Sequence, residues 1–154
     1  MTSLTLIQPE EIVHLSGISW HTHETLLNEL STNRRLRLTY YQSNLEIMVL
    51  SPEHERYKKI VGLFVETLAE ELELDIDPLG CTTLKHPELS GGEPDEFFNI
   101  KNVKSIQGKT RINLQEYPPP DLVVEIDITS NSKDSCAVYA EMGVPEIWRY
   151  NLAI

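Results

Sequence analysis

Cysteine is nearly missing from this chain: Cys81 and Cys136 are the only two in 154 residues, and neither belongs to a CxxC pair. That argues against a cysteine-built zinc site and against a disulfide framework. Two reduced, unpaired thiols in a reducing cytoplasm are the expected state. Long apolar runs are missing too. The most compact one, Ile60 to Val65, falls far short of the ~20 residues that a membrane-spanning helix needs. No basic segment followed by an apolar core opens the chain, so no secretory signal is read and the expected location is cytoplasmic, with no membrane partner. Positive charge is scarce, with 13 Lys and Arg against 24 Asp and Glu and a net charge of −11. Phosphate contacts supply most nonspecific affinity for nucleic acid, so this balance weighs against a broad gripping face while leaving room for a local one. The two basic clusters, Arg34-Arg35-Leu36-Arg37 and Lys101 to Arg111, read as solvated surface.

What is present fits one soluble domain over residues 1–154, at 40% hydrophobic and 24% charged residues. Residues 1–18 lack a clean period and read as a poorly fixed arm, with Thr2 to Ile7 a candidate edge strand. Ser19, with Thr22 as the alternative, is a suitable N-cap for a helix through Leu30 that turns Trp20, Leu26, Leu27 and Leu30 inward. His21 and His23 lie two apart, do not share a helical face, and read as surface or helix-start residues. Leu36 to Tyr41 and Leu45 to Leu50 alternate around Gln42-Ser43-Asn44, a hairpin signal. Ser51 as N-cap and Pro52 at the first helical position start the strongest helix, running to about Leu72. Tyr57, Ile60, Val61, Phe64 and Leu68 form its expected inward stripe, with His54 on that stripe in the first turn.

Leu74 to Leu84 reads as strand material broken by Pro78, and His86 to Gly92 as a loop. Residues 101–119 form a connection with a short helix near Val103 to Ile106. After the segment Asp121 to Ile128, Thr129 to Ser132 cap a helix from Lys133 to Met142 closed by Gly143. Pro145 to Tyr150 is a last strand, and a helix between two strands predicts a parallel crossover. The expected architecture is α/β: a mixed sheet with helices on its faces.

The chemistry gathers on two strands. Leu122, Val123, Val124, Ile126 and Ile128 make a run apolar enough for a strand covered on both faces. Glu125 and Asp127 interrupt it two residues apart, so both point to one face. Burying paired carboxylates is costly unless a cation or hydrogen bonds offset their charge. Glu93-Pro94-Asp95-Glu96-Phe97-Phe98 is a second acidic strand. If it neighbours the first, Asp95 can approach Glu125, an oxygen-ligand set suited to Mg²⁺ in a nuclease.

Ser51-Pro52-Glu53-His54, Glu93 to Phe98, Pro119 to Ser130 and Tyr139 to Tyr150, in this order and spacing, resemble the Uma-type restriction-endonuclease family, a branch of the PD-(D/E)XK nuclease superfamily. The resemblance runs from about Leu15 to the end. It implies a restriction-endonuclease-like fold and a divalent-metal phosphodiesterase site. Asp95 and Glu125 would hold Mg²⁺ or Mn²⁺, with Asp127 as a further ligand or acceptor. His54 would orient a phosphate or water, and Lys133 would assist electrostatically. The superfamily's lysine belongs two residues after the Glu, where this chain has Asp127. The family's alternative basic position on the following helix is Ser135. Two readings follow: a metal-dependent nuclease acting on DNA, homodimeric as small oligomers commonly are, or a catalytically degenerate domain of the same fold serving as an interaction module.

Overall fold

The computed structural model describes residues 10–33, 35–80, 82–129 and 133–152. The chain runs β1 (Glu11–Ser16), α1 (Trp20–Glu29), β2 (Leu36–Tyr41), β3 (Asn44–Val49), α2 (Pro52–Glu71), β4 (Asp77–Gly80), β5 (Leu84–His86), β6 (Ser90–Gly92), β7 (Glu96–Asn99), α3 (Val103–Ile106), β8 (Ile112–Asn113), β9 (Leu122–Asp127), α4 (Lys133–Glu141) and β10 (Glu146–Asn151). The sheet is mixed, as expected, but divided in two. Six strands take the order β1-β3-β2-β6-β5-β8, and four take the order β10-β9-β7-β4.

Local chemistry accounts for most element boundaries. Ser51 Oγ accepts from the His54 N–H and Pro52 opens α2, as the cap pattern requires. Ser19 does the same for α1 through the Thr22 N–H. The β2–β3 hairpin turns on Gln42 and Ser43, whose φ values of 46° and 63° suit a two-residue turn that follows the strand twist. Gly143, with φ of 87°, ends α4. β9 and β10 run parallel across that helix.

β9 is buried at every position and lies between β10 and β7. Its alternation serves two cores. Val123 joins Phe97, Leu84, Ile112, Val138 and Tyr139 in a cluster that draws on both sheets and α4. Val124, Ile126 and Ile128 join Phe98 and Val65 in a second cluster on the α2 side. A third cluster sets Leu38, Tyr40 and Leu45 against the apolar face of α1.

Several expectations are overturned. The inward face of α2 carries His54, Lys58, Gly62, Val65 and Ala69, not the stripe through Ile60, Phe64 and Leu68. Phe64 is 59% exposed and Ile60 is 56% exposed, so that stripe faces solvent. His23 is fully buried between Trp20 and Tyr40 rather than on the surface, while His21 is exposed. Residues 84–92 form the β5–β6 hairpin instead of a loop. Pro78 does not break its strand; β4 is an edge, where a missing N–H is tolerated. Within the expected arm, Glu11–Ser16 pairs with β3, while Thr2 to Ile7 lie outside the described residues. So do Ser130 to Ser132 of the α4 cap and Cys81.

Candidate active site

Asp95 and Glu125 meet, as neighbouring strands require. β7 and β9 pair antiparallel with Glu96 opposite Val124, which brings Asp95 level with the middle of β9. Asp95 Oδ2 accepts a 2.7 Å hydrogen bond from the Ile126 N–H. Both acids are buried, and what lies between them is Arg37. One guanidinium nitrogen donates to Glu125 Oε2 at 2.9 Å, and the other forms an ion pair with Asp95 Oδ1. His54 closes the group, its Nε2 lying 3.0 Å from Asp95 Oδ1 and 3.1 Å from Arg37 Nη2.

Each residue arrives for a local reason. On β2, Leu38 and Tyr40 face α1, so Arg37 faces the other way, towards β9. His54 occupies the capped first turn of α2, where the helix meets the site. The charges are tuned by enclosure. Burial pushes the Glu125 carboxyl up, against the pull of Arg37, with Asp127 adding to the upward push. Burial opposes the charge on Arg37 but Glu125 outweighs it, and its pKa is raised. Burial, with Arg37 and Lys58 nearby, holds the His54 imidazole down at about 3, so it is neutral at physiological pH. The buried Tyr139 hydroxyl lies beside Glu125, and its interaction with the carboxylate pulls the Glu125 carboxyl down, against burial.

Asp127 shares the buried strand with Glu125 but is taken by Arg149 of β10, at 2.6 Å. It therefore does not join Asp95. Among the described residues no three His, Cys, Asp or Glu side chains converge as a metal-binding group. Lys133 opens α4 and Ser135 is buried one turn in; the side chain of Lys133 is not among those described.

Two residues escaped the sequence reading. Arg37 lies in a basic cluster that read as solvated surface, yet it is 5% exposed. Its β2 alternation was a usable signal: a lone cation on the strand face opposite Leu38 and Tyr40 needs a counter-charge if that face is covered. Lys58 is one helical turn beyond His54 and is also buried, 3.8 Å from Glu55 and 4.0 Å from Glu96. A cleft of about 900 Å³ opens over the group, lined among others by Arg37, Lys58, Lys85 and Arg111 with Glu24, Glu93, Asp95 and Glu96. Four cations balance four acids there, in a chain whose net charge is −11.

The donor chemistry fits a hard divalent cation in part: Asp95 and Glu125 offer carboxylate oxygens, and Arg37 holds only the Oε2 oxygen of Glu125. Arg37 already supplies positive charge at that point, so a metal would have to share or displace it. A mixed α/β fold with an Asp and a Glu on adjacent strands beneath a cleft is that of a restriction-endonuclease-like protein. The chain belongs to the Uma2 family, whose model, described as "Putative restriction endonuclease", matches residues 21–153. No curated protein matches it.

Proposed function

We propose that the cleft hydrolyses phosphodiester bonds of DNA with Mg²⁺ or Mn²⁺ held by Asp95 and Glu125. The observation that carries this reading is the meeting of those two buried carboxylates from adjacent strands around one guanidinium. When bound, the ion lowers the pKa of a water and offsets charge on the reacting phosphoryl group. Arg37 pulls the Glu125 carboxyl down against burial and orients both acids before substrate arrives. Neutral His54 holds Asp95 in place and can orient a water or phosphate oxygen. Lys58, on the cleft wall, offers a charge to a phosphate, and Lys133 belongs to the same reading as an electrostatic aid. Asp127 acts through Arg149, as an acceptor rather than a direct ligand.

The second reading, a catalytically degenerate domain serving as an interaction module, is favoured by one observation. The position two after Glu125 holds an acid whose charge is spent on Arg149, and Ser135 stands at the alternative basic position. Plasmid and oligonucleotide cleavage with Mg²⁺ or Mn²⁺, beside Asp95→Asn, separates the two. Cleavage abolished by Asp95→Asn supports the nuclease. No cleavage with either ion supports the module.

A further inference from the structure

The face of α2 that turns away from the protein carries Ile60, Leu63, Phe64 and Leu68, at 56%, 66%, 59% and 40% exposure. Residues three and four apart make one stripe along a helix. Scattered exposed apolar residues are ordinary, but a continuous stripe of four large ones on a single helix marks a contact surface. Its charged flank shows which partner fits. Lys59, Glu66 and Glu70 are seven and eleven apart, on one side of the stripe, all exposed. Among the exposed residues the bases Arg56 and Lys59 come first and the acids Glu66 and Glu70 follow; the acids Glu53 and Glu55 of the first turn are half-buried.

We infer that this stripe is the isologous interface of a homodimer, in which α2 of one copy packs antiparallel on α2 of the other. In an antiparallel pair the same flank of each helix faces its own equivalent, running in the opposite sense. With the twofold axis beside Phe64, the Phe64 side chains meet, Ile60 comes opposite Leu68, and Lys59 comes level with residue 69, one residue from Glu70 on the same flank. Glu66 comes level with Gly62 and meets no other acid. A parallel pairing gives no such match. The Lys59 to Glu70 flank thus complements itself in the antiparallel sense, and a second copy is the partner whose charge pattern fits it. One helix of 20 residues makes an interface about 30 Å long, small enough for the dimer to be concentration-dependent.

Sedimentation equilibrium of the full chain tests this, up to about 1 mM, where association is worth only ~4 kcal/mol. Wild type should dimerise. Phe64→Asp should be monomeric, with a melting temperature unchanged at concentrations where wild type is also monomeric, since that side chain is exposed. Lys59→Glu should weaken the dimer roughly tenfold, because the twofold axis counts the lost pair twice, and Glu70→Lys should do the same. The double variant should recover the wild-type constant. A wild type that stays monomeric throughout overturns the inference and leaves the stripe to a different protein. A dimer that survives Phe64→Asp, or charge reversals that do not compensate, overturns it equally.

Discussion

Arg37 decides the state of the site. Removing one partner of a buried, hydrogen-bonded charge group leaves the other charges without compensation, at a cost of roughly 3–5 kcal/mol. Arg37→Met should lose about that much at pH 7, read as a lower urea midpoint. Glu125 can escape by protonation, since its carboxyl is already pushed up by burial. A carboxyl whose pKa is higher in the folded state binds protons there preferentially, so stability grows as pH falls. The deficit of Arg37→Met relative to wild type should therefore shrink between pH 7 and pH 5. An unchanged midpoint at pH 7 would mean that Arg37 holds nothing in place. His23 has the opposite sign. Both ring nitrogens are buried without hydrogen bonds, and burial holds its pKa down at about 4. The unfolded chain takes the proton near pH 6.5, so its contribution is complete above that value and is lost as pH falls from 6.5 towards 4. The slope is about 1.4 kcal/mol per pH unit within the window. Wild type should weaken faster on acidification than His23→Phe, and parallel curves of stability against pH would contradict this assignment.

At the scale of elements, β6 shows how the two sheets and α4 come to share a core. A Cβ on Gly92 would lie 2.8 Å from Tyr139 Cε1, and one on Gly91 would lie 2.9 Å from His23 Cε1. The strand thus has an α4 side chain against one glycine and an α1 side chain against the next. Gly92→Ala should displace Tyr139 from beside Glu125 and cost about 1–3 kcal/mol as overpacking. A urea midpoint equal to that of wild type would show that the ring has room to move. These glycines, which read as part of a loop, are strand residues because of what packs on them. Features held by near neighbours were legible: the Ser51 and Ser19 caps, Pro52, the β2–β3 turn, and β9 with its apolar run around Glu125 and Asp127. The pairing of Asp95 with Glu125 followed from two acidic strands being adjacent. The inward face of α2 was not legible, because Ile60, Phe64 and Leu68 offered a cleaner apolar period than Lys58, Gly62 and Ala69. Gly62 is inward because the Glu96 side chain lies over it, 3.8 Å from where a Cβ would stand. Arg37 was hidden for a similar reason: its partner Glu125 is 88 residues away.

The whole molecule's charge governs how a metal can be detected. At −11, self-repulsion destabilises the compact state, so any divalent ion will stabilise the fold through screening alone. A rise in melting temperature with Mn²⁺ is therefore not diagnostic. The comparison with Glu125→Gln is, because the change removes one carboxylate from the site and barely alters the total charge. In that variant Arg37 keeps its ion pair with Asp95, and a buried acid is gone. Metal-free stability should stay within about 1 kcal/mol of wild type, the scale of offsetting a lost charge pair against a lost desolvation cost. Ligand binding at 100 times Kd stabilises by about 2.7 kcal/mol, and a domain of this size melts roughly 2–4 °C higher for each kcal/mol. At matched ionic strength, wild type should gain some 5–10 °C more from Mn²⁺ than Glu125→Gln. Equal gains would assign the whole effect to the acidic surface. Arg37 would then be the only cation that Asp95 and Glu125 hold, and the chain would be an interaction module built on a nuclease fold.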